Sequence, residues 1–189
     1  MLYRAPNIQQ NAHSQKIVRW HTHGRFNLHC PKILIPWLQD TGSLTASLIA
    51  QSNNQFHVKV LFQGFGKIRE DERKALGLKP YQAAVVREVI LFGKNRPWVF
   101  ARSLLPLSSL TGRLRQLRKA SSKPLGAFLF KQPNLKRSPI EIAKIDSHYL
   151  PTLIAQSAWG RRSVFYVDNK PLLVSEIFLS DFLETIKGN

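Results

Sequence analysis

Residues 83–105 read AAVVREVILFGKNRPWVFARSLL, and this stretch sets the frame for the whole chain. β-Branched and aromatic side chains crowd both halves, and Gly93-Lys94-Asn95-Arg96-Pro97 supplies turn residues between them, which predicts an antiparallel hairpin. With a period of two, Val85, Arg87, Val89 and Leu91 share one face of the first arm, while Val86, Glu88, Ile90 and Phe92 share the other. On the second arm Trp98, Phe100, Arg102 and Leu104 point together. A turn centred between Lys94 and Asn95 sets Arg87 directly opposite Arg102. Two guanidinium groups side by side among apolar neighbours repel each other and lose hydration, so an anion must offset the cost. A structural anion, a carboxylate from elsewhere in the chain and an anionic ligand all remain open.

A second hairpin is expected near the C-terminus. Trp159 to Val167 and Leu172 to Leu179 flank a turn at Asp168-Asn169-Lys170-Pro171. Leu172, Val174, Glu176 and Phe178 share a face, which leaves Glu176 in apolar company. Depending on turn register, Arg161, Arg162 or Ser163 pairs across from it. Two arginines and one glutamate on apolar strand faces leave a positive site suited to a small dianion that also carries a hydroxyl or ether.

Outward from these hairpins the chain reads as one domain. Its 189 residues, 43% of them hydrophobic, are enough for one core. No apolar run approaches membrane-spanning length and no signal pattern opens the chain, so no membrane insertion is expected. One cysteine, Cys30, permits no internal disulfide and suits a reducing cytoplasm. The net charge is +17, and residues 89–140 hold eleven basic and no acidic residues. No zinc-finger spacing, repeat or reading helix accompanies that charge, so nucleic-acid binding is disfavoured.

Residues 1–31 read as a basic, loosely held arm. His21, His23 and His29 beside Cys30 lack a nearby carboxylate and fit no zinc spacing, so they read as solvated or packing residues rather than a metal site. Ser43 caps a helix from Leu44 to Gln51, and Phe56, Val58, Val60 and Phe62 mark a half-buried strand broken at Gly64 and Gly66. Arg69 to Gly77 reads as a short charged helix ended by glycine, and as a candidate flap. Pro106 to Ala120 carries leucines at helical spacing with a basic outer face. Ser121 to Gly126 reads as a helix start whose first free donor is the Leu125 N–H, placed either for a carboxylate or simply for water. Residues 132–139 form a polar loop, Ile140 to Ile145 a short strand, and Ser180 to Asn189 a polar tail. The domain therefore spans residues 32–182, with 183–189 outside it.

Five stretches, REVIL (87–91), PWVFARSLLP (97–106), KPLGAFLF (123–130), WGRRS (159–163) and KPLLVSEIFL (170–179), together resemble the chorismate pyruvate-lyase family. The resemblance runs from about Trp37 and is clearest from Arg87 to Leu179. It implies an α+β domain, an antiparallel sheet flanked by helices with a buried site under flaps. It also implies removal of the enolpyruvyl group of chorismate to give 4-hydroxybenzoate and pyruvate, the first committed step toward ubiquinone, with no metal or cofactor. By this resemblance Arg87 clamps a carboxylate with the Leu125 N–H as second donor, and Glu176 holds the product hydroxyl. Arg102 takes the enolpyruvyl carboxylate or the ether oxygen, making Arg102 and Glu176 the catalytic pair. Leu44 stands in Ser43-Leu44-Thr45, where a family member has Ser-Met-Thr, so a leucine lines the pocket in place of methionine. The arm, the link around residues 147–156 and the basicity depart from the family, and a monomer is expected. Two rivals stay open: a non-catalytic ligand-sensing domain of the same fold, and a basic nucleic-acid-binding protein.

Overall fold

Lys94 and Asn95 have φ of 51° and 59°, and Asp168 and Asn169 have φ of 50° and 61°. Two-residue turns with both φ positive match the right-handed twist of paired strands, so each turn closes a hairpin. These are β3 (Ala84–Gly93) with β4 (Arg96–Pro106), and β7 (Ala158–Val167) with β8 (Lys170–Phe178). In the computed structural model, which describes residues 18–22, 29–119 and 123–188, β4 pairs with β8 and joins the two hairpins at the centre of one sheet. β2 (Phe56–Phe65) adds to β3 at one side. On the other side β5 (Lys136–Arg137) and β6 (Glu141–Ile145) both pair with β7, and β1 (His21–Thr22) closes the edge on β6. All pairings are antiparallel, and helices flank the sheet, as an α+β domain requires.

The first hairpin has a register different from the expected one. Gly93 pairs with Arg96 and Phe92 with Pro97, but Leu91 pairs with Val99, so Trp98 is an extra residue in β4. Pro97 has no N–H to give the ladder, and a bulge is where a strand tolerates that loss. The slip of one residue reverses the facing of everything beyond it. Arg87 lies opposite Ser103, and Arg102 lies opposite Glu88. The two arginines therefore stand on opposite faces, correcting the side-by-side placement expected from the turn alone.

The front face, which carries Arg87, is covered in two patches. Helices α1 (Ile35–Gln39), α2 (Leu44–Gln51) and α5 (Ser180–Lys187) pack Leu38, Leu48 and Phe182 against Val89, Val99, Ala101 and Phe178. The 3₁₀ segment Gly112–Lys119 and α4 (Leu125–Leu129) pack Leu114, Leu117 and Leu129 against Val85, Leu105, Phe165 and Leu172. The back face is covered by α3 (Glu70–Leu76) and residues 145–154, over Val86, Phe100, Leu104 and Ile177.

Other expectations need revision. β2 runs through Gly64 to Phe65, and a bulge between Val60 and Phe62 leaves Phe62 exposed. The leucine-rich segment after β4 buries Leu110, Leu114 and Leu117, but as a 3₁₀ turn rather than an α-helix starting at Pro106. The expected polar tail is α5, whose Phe182 and Ile186 are buried and whose Asp181 and Glu184 hold Arg96. Within the N-terminal arm, residues 1–17 and 23–28, including His23, lie outside the described part. The described remainder is docked, since Val18 is buried and Trp20 donates its indole N–H to Asp71 at 2.9 Å. Cys30 is also buried, which pushes its thiol pKa up. No helix among the described residues is long and apolar enough to cross a membrane.

Candidate active site

Between the two apolar patches of the front face runs a polar strip. Gln63, Arg87, Ser103, Val174 and Ser163 form one cross-strand row, and Val89, Ala101, Glu176 and Arg161 form the next. Arg87 and Glu176 thus sit two strands and one row apart. That is about 12 Å between Cα atoms, from strand spacing and rise alone. Arg87 is buried, giving its Nε to Gln63 Oε1 at 3.1 Å and Nη2 to the Lys123 carbonyl at 3.1 Å. Both acceptors are neutral, and desolvation lowers the guanidinium pKa.

Of the three candidates opposite Glu176, the register selects Arg161. Arg161 is 1% exposed. Its Nε donates to Glu176 Oε2 at 2.7 Å, and its Nη1 to the carbonyls of Trp37 and Asp40 at 2.8 and 2.6 Å. The end of α1 therefore fixes the guanidinium, which in turn fixes the carboxylate. Glu176 Oε1 accepts no hydrogen bond among the described residues. Glu176 lines a small hollow together with Leu44, Gly126, Phe130, Arg137, Arg161 and Phe165 among others. Its free interior is only about 10 Å³, roughly one water's worth, so the lining side chains must part to take a ring-sized ligand.

Leu44 and Leu125 open the two short helices over this strip. Ser43 caps α2, its Oγ accepting from the Ala46 N–H at 3.4 Å. Pro124 is the N-cap of α4, so the Leu125 N–H is the first of the helix's donors without a partner inside the helix. The helices meet where Gly126 faces Thr45, and a Cβ there would stand 2.9 Å from Thr45 Oγ1.

Arg102 belongs to a different environment, on the back face. Its Nε and Nη2 donate to Glu72 at 2.6 and 3.1 Å, Nη1 to Glu88 at 2.6 Å, and Nη2 to the Lys67 carbonyl at 2.7 Å. Burial disfavours its charge, but Glu72 and Glu88 outweigh that and raise its pKa. Arg162 is held nearby by Asp71 and Glu141 at 3.0 and 2.8 Å, with Trp20 stacked on it. Four of the chain's eleven acidic residues gather here, so this is the buried ion-pair network that the hairpin arginines could have signified. Glu72 comes from α3, so the helix read as a flap is anchored away from Glu176. The expectation that Arg102 meets a ligand beside Arg87 is not supported by this geometry.

The family model described as chorismate lyase matches residues 15–186. The chain belongs to the chorismate lyase family. Relatives of the family include a probable chorismate pyruvate-lyase of Marinobacter nauticus, 41% identical over 157 residues and covering 80% of each chain. Others come from Azoarcus sp., 42% identical over 162 residues (79% of this chain, 85% of the relative), and Pseudomonas entomophila, 37% identical over 171 residues (90% and 92%). Among solved structures, the effector domain of PhnF from Mycobacterium smegmatis superposes with a TM-score of 0.53 at 17% identity, covering 75% of this chain and 91% of that one. That likeness concerns the fold.

Arg137 lines the hollow with the family-marked Glu176 and Leu44, and the hairpin patterns alone do not reveal it. It sits in a stretch read as a polar loop, where no periodicity marks a facing. Its two-residue pairing with β7 is what turns it inward.

Proposed function

We propose that this protein is a chorismate pyruvate-lyase that eliminates pyruvate from chorismate to give 4-hydroxybenzoate, the first committed step toward ubiquinone. What carries the reading, beside family membership, is that Arg87 and Glu176 share one sheet face at a ring-sized separation, with Leu44 and the start of α4 above it.

Arg87 and the Leu125 N–H hold the ring carboxylate, since a guanidinium grips a carboxylate through parallel charge-assisted bonds. Glu176 accepts from the ring hydroxyl. The reaction breaks the ether bond at one ring carbon and removes the proton from its neighbour, the carbon that bears the hydroxyl. A carboxylate within reach of the hydroxyl is therefore also within reach of the departing proton, and Glu176 Oε1 is the acceptor on that side. The ring becomes aromatic, so much of the driving force belongs to the substrate. The protein orients it, excludes water and offsets negative charge gathering on the enolpyruvate.

Mixing the protein with chorismate and following the ultraviolet absorbance of 4-hydroxybenzoate tests this directly. Steady formation of 4-hydroxybenzoate and pyruvate in equal amounts is expected. Tight binding of chorismate without conversion would instead assign a sensing role.

A further inference from the structure

We propose that Arg137 binds the second carboxylate of the substrate, the one on the enolpyruvyl group, and so sets the preference for a dicarboxylate over a monocarboxylate. The inference rests on the lyase reading above and extends it to a residue outside the family motifs.

Arg137 and Arg161 both line the hollow and differ in how far their charge is offset. Arg161 is paired with Glu176 at 2.7 Å. Arg137 has no acidic side chain at ion-pair distance among the described residues. Its Nε donates to Ser163 Oγ at 3.0 Å and its Nη1 to the Thr41 carbonyl at 2.9 Å, both neutral acceptors. Nη2 donates to nothing among the described residues, while the guanidinium carbon lies 4.9 Å from the centre of the Phe165 ring. The group is thus oriented on three sides and lines the same hollow as Glu176. Burial and the neighbouring Arg161 both press against its charge, and Glu176 and Asp40 only partly relieve this. An arriving carboxylate relieves it further.

The order across the sheet supplies the second argument. Arg87 is on β3 and Glu176 on β8, and Arg137 is on β5, beyond β7. Glu176 therefore stands between the two cations. Chorismate carries its groups in the same sequence, with a ring carboxylate at one end, the hydroxyl opposite it and the enolpyruvyl carboxylate attached beside the hydroxyl. With Arg87 on the first and Glu176 on the hydroxyl, turning the ring about the line that joins them brings the remaining carboxylate to the β5 side. Arg102, on the back face with Glu72 and Glu88, is not in reach of it.

The test compares two aromatic ligands by equilibrium titration of the full-length wild type, Arg137→Gln and Arg137→Lys. One is 4-hydroxybenzoate, with one carboxylate. The other is 3-(1-carboxyvinyloxy)-4-hydroxybenzoate, which keeps the hydroxyl, carries both carboxylates in the positions they have in chorismate and, being already aromatic, cannot undergo the elimination. Arg137→Gln should weaken the diacid by about 10- to 100-fold and the monoacid by no more than about 2-fold, the range for losing one charged hydrogen-bond partner. Arg137→Lys should recover part of the diacid affinity. Equal weakening of both ligands would make Arg137 a strut for residues 41 and 163 and overturn the proposal, as would unchanged diacid binding or a wild type that does not prefer the diacid. Wild-type turnover of chorismate is scored separately. If it is absent while the diacid preference falls as described, the lyase reading fails and the Arg137 assignment stands.

Discussion

Arg161 and Glu176 are directly paired residues of β7 and β8, and the guanidinium Nε donates to the carboxylate Oε2 at 2.7 Å. Both lie in stretches by which the sequence resembles the family, WGRRS and KPLLVSEIFL, and each is fixed by the other. The arginine is nearly inaccessible and holds the end of α1 through the Trp37 and Asp40 carbonyls. The pair therefore joins the covering helix to the acceptor group of the site.

Removing the arginine leaves a carboxylate largely enclosed without its counter-ion. Arg161→Ala is expected to lower stability by about 3–5 kcal/mol, the usual consequence of breaking a buried pair from one side. Urea unfolding measures this, and a loss below about 1 kcal/mol would mean that water replaces the guanidinium.

Glu176→Gln keeps the shape and an acceptor oxygen but loses basicity. Turnover of chorismate should fall by at least about 100-fold, the scale for a lost general base. The affinity for 4-hydroxybenzoate should stay within a few-fold, because the amide oxygen can keep the Arg161 bond while its NH2 donates to the oxygen of the product hydroxyl. Single-turnover rates beside product titrations separate the two effects, and near-wild-type turnover would reduce Glu176 to a packing group.

The arginines of the first hairpin should give opposite phenotypes. Arg87→Ala is expected to raise the Kd of 4-hydroxybenzoate and the KM of chorismate together by about 10- to 100-fold. Arg102→Ala should instead cost about 3 kcal/mol of stability, because Arg69 at 2.9 Å still reaches the buried Glu72, while product affinity of the folded protein holds within about 2-fold. Loss of product affinity with unchanged melting in Arg102→Ala would place that residue back at the ligand.

Gly126 is the point at which α4 closes on α2. Gly126→Ala puts a methyl group 2.9 Å from Thr45 Oγ1, so the helices must part or Thr45 must turn. A cost of about 1–3 kcal/mol is expected, with a raised KM. Thr45→Ala in the same background should recover most of both. An unchanged KM in Gly126→Ala would mean that the two helices do not jointly close the site.

Both hairpins, the places of their turns, the capped α2 and the glycine-ended α3 were legible in the chain, because period-two patterning and turn chemistry are local properties, while the two-residue length of the second turn was not. So was the Glu176 strand face, and the family motifs picked out the residues to watch. Facing was legible only up to the bulge. Pro97 shows that the ladder must be interrupted, but whether the extra residue is taken up before or after Trp98 depends on what that ring packs against. The one-residue slip sent Arg102 to Glu72 and Glu88 and left Arg87 with Glu176. The burial of Phe182 and Ile186 in α5, and the inward turn of Arg137, likewise depend on contacts with distant strands. The order of side chains along each strand is a property of the chain. Which cation keeps its charge exposed to the hollow is decided by neighbours that folding brings together.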